Sequence, residues 1–142
     1  MGAAMTQQPD LFGAIVCAYP LLDMVRYQKF LVARFWVPEY GSSDDPKQFP
    51  FLYAYSPYHH VMRGRKYPAV LFITGDSDTR VAPLHARKMA AEMQAAQGGD
   101  KAILLMYDTK LGHSEGRPVT KIIEEDTYVL QFLFAQVGVK SF

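Results

Sequence analysis

Residues 69–83, AVLFITGDSDTRVAP, place an apolar strand directly before a polar loop and the start of a helix. The first six residues, Ala69 to Thr74, are nearly all apolar and do not alternate with polar residues, which is typical of a parallel strand covered on both faces. The loop that follows holds two acids and an arginine, and Pro83 suits the first turn of a helix. This stretch therefore predicts an α/β fold, in which functional groups collect where parallel strands end.

Two more apolar runs have the same character, Gly13 to Tyr19 and Ala102 to Tyr107, and are predicted to be strands. Helical patterns lie between and after the strands. They cover Gly2 to Gln8, Leu22 to Phe35, Phe51 to Tyr55, Pro83 to Gln97 and Pro118 to Val137. Strands that alternate with helices predict about three parallel strands with flanking helices.

The beginning of the chain is abrupt for such a fold, because a buried strand follows almost at once. A sheet that starts at Gly13 would present an unpaired apolar edge, which soluble proteins normally avoid. We therefore expect that an upstream part of the sheet is missing. The alternative is a homo-oligomer in which the exposed edge pairs with a second copy.

The composition excludes several classes of function. The chain has 142 residues, enough for one modest domain, and its formal charge of +1 provides no patch for nucleic acid or an anionic membrane. It lacks a membrane-spanning run and a signal peptide, so we expect a cytoplasmic protein, or a periplasmic one if a longer parent carries a signal peptide. The single cysteine, Cys17, lies in an apolar run and is interpreted as a buried side chain rather than a nucleophile. No metal-ligand spacing or phosphate-binding loop occurs, so we predict no metal and no cofactor.

Two loops after predicted strands carry the chemistry. One contains Asp76 and Asp78, and the other, 108–116, contains His113 beside glycines. An acid followed by a histidine is the order of the last two members of a Ser, Asp, His triad in α/β-hydrolases. The carboxylate would fix the tautomer of a histidine that takes a proton from the nucleophile. The alternatives are an aspartate that caps the next helix and a histidine that is simply a loop residue.

The third member of such a triad is not apparent. Serines occur at positions 42, 43, 56, 77, 114 and 141, and none stands in a Gly-x-Ser-x-Gly turn between a strand and a helix. Ser77 and Ser114 neighbour the acid and the base but lack that context. We therefore expect that the chain does not contain the nucleophile.

Five segments resemble the end of the prolyl oligopeptidase family of serine peptidases. They are 9–13 PDLFG, 55–57 YSP, 76–85 DSDTRVAPLH, 108–113 DTKLGH and 121–125 KIIEE. The resemblance runs through the whole chain in order. It implies that residues 1–142 are the C-terminal part of an α/β-hydrolase catalytic domain, without the nucleophile elbow and the β-propeller.

The resemblance also implies roles for three polar residues. Asp78 would be the triad acid, because the family places it two residues before an arginine, and His113 would be the base. Arg80 would bind a backbone carbonyl of the substrate through its fixed set of donors. The alternative for Arg80 is an ion pair with Asp76 or Asp78.

A proline-binding pocket is implied in the same way. The segment WVPEYG, residues 36–41, matches the family's pocket for the proline before the scissile bond, in which Trp36 stacks on the proline ring and Tyr40 lies beside it. Val81 would line the same pocket. Without the family resemblance, Trp36 would be interpreted as a core residue.

These expectations define a parent enzyme that cleaves short proline-containing oligopeptides on the carboxyl side of proline. The chain alone should be inactive, since both the serine and the oxyanion hole would be missing. Two other hypotheses stay open: a related acyl-peptide or ester hydrolase, and a non-catalytic remnant that self-associates.

Overall fold

The computed structural model describes residues 1–109, 112–113 and 117–139. It contains one sheet of three parallel strands in the order β1-β2-β3. The strands are β1 (Ala14–Ala18), β2 (Ala69–Gly75) and β3 (Ile103–Asp108). The prediction of an α/β fold with about three parallel strands is thereby confirmed.

Five α-helices and four 3-10 helices accompany the sheet in the described part of the chain. The α-helices are α1 (Gly2–Gln7), α2 (Val37–Tyr40), α3 (Phe49–Tyr55), α4 (Leu84–Ala96) and α5 (Val119–Val137). The 3-10 helices are Pro9–Leu11, Tyr27–Lys29, Leu31–Trp36 and Pro57–His60. The predicted helices before β1, after β2 and after β3 are all present.

The prediction of a helix over Leu22 to Phe35 is wrong. Two short 3-10 helices occupy the segment instead, and they are separated at Phe30, whose backbone is extended with φ −116° and ψ 127°. Leu31 then adopts a left-handed φ of 50°, and these two residues interrupt the helical hydrogen bonds. Asp23 accepts the backbone N–H of Arg26 at 3.1 Å, the capping pattern that starts a single turn at the beginning of the segment.

The core has two sides because β2 is buried on both faces along its whole length. Ala69, Leu71 and Ile73 point to α5 and pack with Phe132. The alternate residues Val70 and Phe72 point to the opposite face. There they join residues of α1, β1 and α4, including Met5, Ile15, Cys17, Met89 and Met93. Because successive side chains of a strand point to opposite faces, a strand that is buried on both faces needs apolar residues along its whole length.

Strand register determines where the two polar loops meet. In the β2–β3 pair Gly75 lies opposite Asp108, and the N–H of Asp76 donates to the Asp108 carbonyl at 2.8 Å. The loops that leave β2 and β3 therefore start side by side at the carboxyl end of the sheet. Tyr19, directly after β1, joins the same end by donating its N–H to the Ile73 carbonyl at 2.8 Å.

The outer edge of β1 pairs with no strand among residues 1–109, 112–113 and 117–139. Self-association through that edge stays a prediction. Within the same described ranges, no helix is both long enough and apolar enough to cross a bilayer.

A close backbone contact after α4 generates a stability prediction. Gly98 donates its N–H to the Arg65 carbonyl at 2.9 Å, and a Cβ at position 98 would lie 2.0 Å from the carbonyl oxygen of Gly64. Since both partners are backbone, Gly98→Ala should lower the free energy of unfolding by about 1–3 kcal/mol, measured by urea denaturation. Gly13→Ala is the control, because a Cβ there meets nothing within 4 Å. Equal stability of the two variants would contradict the contact.

Candidate functional site

The central feature of the candidate site is a hydrogen bond between the two polar loops. His113 Nδ1 lies 2.8 Å from Asp78 Oδ2. The Asp78 side chain is fully buried, whereas 24% of the His113 side chain is exposed. Because an ionised carboxylate only accepts hydrogen bonds, the proton of a neutral His113 is on Nδ1 and Nε2 can accept a proton. This arrangement suits a general base.

Asp78 is held from the other side by its own loop. Its Oδ1 accepts the backbone N–H groups of Arg80 at 2.9 Å and Val81 at 2.8 Å, while its own N–H donates to the Gly75 carbonyl at 3.3 Å. The two oxygens of the carboxylate thus have separate tasks, since Oδ1 anchors the loop and Oδ2 faces His113. The first of these tasks is the local turn-forming role that is common for aspartate.

Gly112 lies directly beside the Asp78 loop. A Cβ at position 112 would lie 3.4 Å from the Ser77 carbonyl oxygen, which is an ordinary van der Waals contact. Residues 110–111 and 114–116 of the same loop, and with them Ser114, lie outside the described residues, as does Ser141.

Arg80 is exposed next to this pair, and Val81 is partly buried. Among the described residues Arg80 makes no ion pair with Asp76 or Asp78, so its alternative interpretation is not supported. Asp76 instead accepts the hydroxyl of Tyr107, and Asp78 contacts the Arg80 backbone. The guanidinium therefore faces solvent beside Asp78.

Trp36 and Tyr40 belong to a second group, on the segment between β1 and α3. Trp36 is partly buried and packs at the margin of a small cluster made of Met24, Tyr27, Ala33 and Leu52. Tyr40 is 41% exposed, and its ring meets Tyr27 edge-on with centroids 5.7 Å apart. Tyr27 in turn donates its hydroxyl to the Gly41 carbonyl. Tyr27 belongs to the cluster on which Trp36 packs and also contacts the Tyr40 ring, so both aromatic residues border the same small core.

The structure brings the predicted residues together in two groups. Asp78, Arg80, Val81 and His113 form one, and Trp36 with Tyr40 forms the other. Among the described residues, no hydrogen bond, ion pair or ring contact joins the groups. An open cleft of about 470 Å³ lies beside the first group, and it is lined by residues 29–31, 76–79 and 82–84 and by Arg87.

A buried charge cluster connects the aromatic segment to α4, and no pattern in the sequence predicts it. Asp23 is fully buried and accepts hydrogen bonds from Lys88 and, at 2.7 Å, from Nε of Arg26. Burial alone raises the pKa of the Asp23 carboxyl, but the hydrogen bonds from Lys88 and Arg26 outweigh it and lower the pKa below the usual value. The Asp23 N–H donates to Nδ1 of His85 at 3.2 Å, which makes that nitrogen the acceptor.

Ser56 and His59 beside Asp23 form a triad of residue types without triad geometry. The Ser56 hydroxyl accepts the Met24 N–H at 2.9 Å and lies 2.8 Å from His59 Nδ1. Asp23 Oδ1 lies 3.8 Å from the same nitrogen. A relay needs the acid and the serine on opposite ring nitrogens, and Ser56 is fully buried. This cluster is therefore interpreted as structural.

Comparison with known proteins gives one consistent result. The model of the "Prolyl oligopeptidase family" matches residues 1–140. The prolyl endopeptidase of Elizabethkingia meningoseptica is 39% identical over 142 residues, which cover 99% of this chain and 20% of the relative. The prolyl endopeptidase of Dictyostelium discoideum is 35% identical over 143 residues, which cover 99% of this chain and 19% of the relative.

Solved structures agree with the sequence matches. A structure from a study of two prolyl endopeptidases superposes with a TM-score of 0.94 at 48% identity, over 98% of this chain and 20% of its own. Prolyl oligopeptidase B of Galerina marginata, bound to a 35-residue hydrolysis and macrocyclization substrate, gives a TM-score of 0.92 at 26% identity, over 99% of this chain and 20% of its own. The chain thus spans about a fifth of the length of the relatives that it matches.

The buried His85 makes stability depend on pH. Burial, together with the positive charge of Lys88, lowers the pKa of His85 from 6.5 to about 4. Below pH 6.5 this histidine is protonated in the unfolded chain, whereas His85 stays neutral in the folded chain. The free energy of unfolding therefore decreases as pH falls from about 6.5 towards 4. We expect the loss to reach roughly 3 kcal/mol.

Urea unfolding at several pH values measures this loss. His85→Gln should flatten the dependence, since an amide oxygen can accept the same Asp23 N–H without titrating, whereas the control His60→Gln should keep it. A His85→Gln variant with the same pH dependence as the wild type would contradict the assignment.

Proposed function

Because the chain belongs to the prolyl oligopeptidase family, we propose that it supplies the acid, the base and the proline pocket of a serine endopeptidase that cleaves short peptides after proline. The observation that carries the proposal is the 2.8 Å hydrogen bond between His113 Nδ1 and the buried Asp78 Oδ2. In this role the domain is a partial hydrolase domain, residues 1–142, without the nucleophile elbow and the β-propeller.

His113 acts first as a base and then as an acid. Its Nε2 takes the proton of the attacking serine hydroxyl, and the resulting imidazolium is stabilised by the Asp78 carboxylate across Nδ1. The proton then passes from Nε2 to the leaving amine. The two backbone N–H groups on Asp78 Oδ1 keep the carboxylate in position through both steps.

The serine that attacks is proposed to come from a segment outside this chain. Three of the described serines use their hydroxyl groups in other hydrogen bonds, which supports this proposal. The Ser43 hydroxyl donates to the Val25 carbonyl, the Ser56 hydroxyl lies between Met24 and His59, and the Ser42 hydroxyl accepts the Asp44 N–H at 3.2 Å.

The proline pocket is assigned to Trp36, Tyr40 and Val81, and the substrate carbonyl to Arg80. An indole offers a flat apolar face to a pyrrolidine ring, and Tyr27 fixes the neighbouring Tyr40 ring. The exposed guanidinium of Arg80, which has no carboxylate partner on its own loop, is available as a donor for a peptide carbonyl.

The relatives support a peptide as the substrate. Three structures of the Galerina marginata enzyme hold peptides of 25 or 35 residues. In each of the three the enzyme carries one alanine substitution, of a histidine, a serine or an aspartate. Those substitutions name the same three residue types that the proposal requires. Proline specificity separates this proposal from a general acyl-peptide or ester hydrolase.

The location of the nucleophile is tested with a fluorophosphonate, which labels activated serines. Intact-mass measurement of the 142-residue chain should show no adduct, because the proposal places the activated serine outside this chain. A chimera in which this chain replaces the matching segment of the Elizabethkingia meningoseptica enzyme should be labelled. The same chimera with His113→Ala should lose the label. An adduct on the isolated chain that disappears in His113→Ala would refute the external serine.

The proline pocket is tested in the same chimera with two peptides that differ only in proline or alanine at the cleavage site. Trp36→Ala should lower kcat/KM for the proline peptide by about tenfold or more, with a smaller effect on the alanine peptide, because the stacking face is lost. Phe35→Ala is the matched control, since Phe35 is 67% exposed. Equal losses on both peptides would favour the general hydrolase.

A further inference from the structure

Tyr19 has an unusual backbone conformation at the end of β1. Its φ of 48° is left-handed, a conformation that is costly for a residue with a Cβ and that glycine or asparagine tolerates better. Its N–H donates to the Ile73 carbonyl at 2.8 Å, so the chain turns away at the position where the strand ends. An aromatic residue in such a position indicates that the side chain has a task at this end of the sheet.

The ring of Tyr19 contacts His113. The two ring centroids are 5.3 Å apart, and the planes meet at 60°, an edge-on arrangement. This contact is made by a different element from the one that carries Asp78, since Tyr19 follows β1 and Asp78 follows β2. The imidazole is therefore contacted by two independent groups, a carboxylate at Nδ1 and a tyrosine ring.

The hydroxyl of Tyr19 anchors that ring to α5. It donates to Glu125 Oε2 at 3.1 Å, and the same oxygen accepts Nη1 of Arg117 at 2.6 Å. The Arg117 guanidinium also lies 5.7 Å from the centroid of the Tyr19 ring. Burial, with help from the Glu125 charge, raises the pKa of Tyr19 to about 12, so the phenol stays protonated as a donor. A cavity of about 100 Å³ lies beside this network, lined by Tyr19, Glu125 and residues that include Tyr128.

We propose that Tyr19 is a positioning residue for His113, a role that rests on the proposed function of His113 as the base. The Asp78 hydrogen bond fixes Nδ1 but leaves the imidazole free to pivot about that bond. The Tyr19 ring restricts the pivot, and its hydroxyl bond to Glu125 holds the ring in place. The orientation of Nε2 towards the nucleophile is thereby set before substrate binds.

The test is proton NMR of the 142-residue chain with ¹⁵N-labelled histidine. The measured quantity is the rate at which the His113 Nδ1 proton exchanges with water. If Tyr19 only supported the fold, this rate would not change in a variant that remains folded. Tyr19→Asn removes the ring but tolerates the left-handed backbone, so it should remain folded and exchange about three- to tenfold faster, the range that one ring contact supports. Tyr19→Phe keeps the ring contact and should restore most of the protection.

The matched control is Tyr128→Asn, since Tyr128 lines the same cavity on α5 without a ring contact to His113 among the described residues. It should exchange like the wild type. If Tyr19→Asn and Tyr128→Asn both exchange like the wild type, the positioning role is refuted and the proposed function stands. If the wild type itself shows no protected Nδ1 proton, the Asp78–His113 pair fails, and the proposed function fails together with the role of Tyr19.

Discussion

The parallel register of β2 with β3 is the constraint on which the site depends. Gly75 lies opposite Asp108, so the next few residues of each strand leave the sheet side by side. Asp78 comes three residues after Gly75 and His113 five residues after Asp108. A shift of one residue in register would exchange the two faces of β2, both of which are buried, and would separate the loops. Burial of β2 thus fixes the position of a hydrogen bond that is itself partly exposed.

The Asp23 cluster connects the second half of the site to the same core. A carboxylate buried with Lys88 and Arg26 is weak evidence for stability, because desolvation offsets much of the attraction. Its effect is geometric. Since Lys88 is on α4, which packs on the sheet, the segment that carries Trp36 and Tyr40 is tied to the element that follows the Asp78 loop. The open cleft is lined by residues 29–31 of that segment and by residues of the Asp78 loop and α4, so its shape depends on this connection.

Different parts of this arrangement could be predicted from the sequence for different reasons. The strands were predictable because a continuous apolar run suits a parallel strand covered on both faces, and Asp78 and His113 were notable because they follow such runs. The helix α4 was predictable from its alanines and methionines, with Pro83 at its start and glycines after its end. The segment from Leu22 to Phe35 has helical spacing, yet the extended Phe30 and the left-handed Leu31 interrupt it. Contacts such as Asp23 with Lys88, or Tyr19 with Glu125, join residues 65 and 106 positions apart, and no local pattern encodes them.

The geometry of the proposed acid and base is separable from the chemistry that would use it. The contacts described for Asp78 and His113 come from the end of β2, from the loop that follows it and from Tyr19 directly after β1. A pair held this way keeps its tautomer and orientation whether or not a nucleophile is present, since neither depends on the serine. For such a chain the absence of turnover and the absence of a formed site are different findings, and spectroscopy on His113 tells them apart where an activity assay cannot.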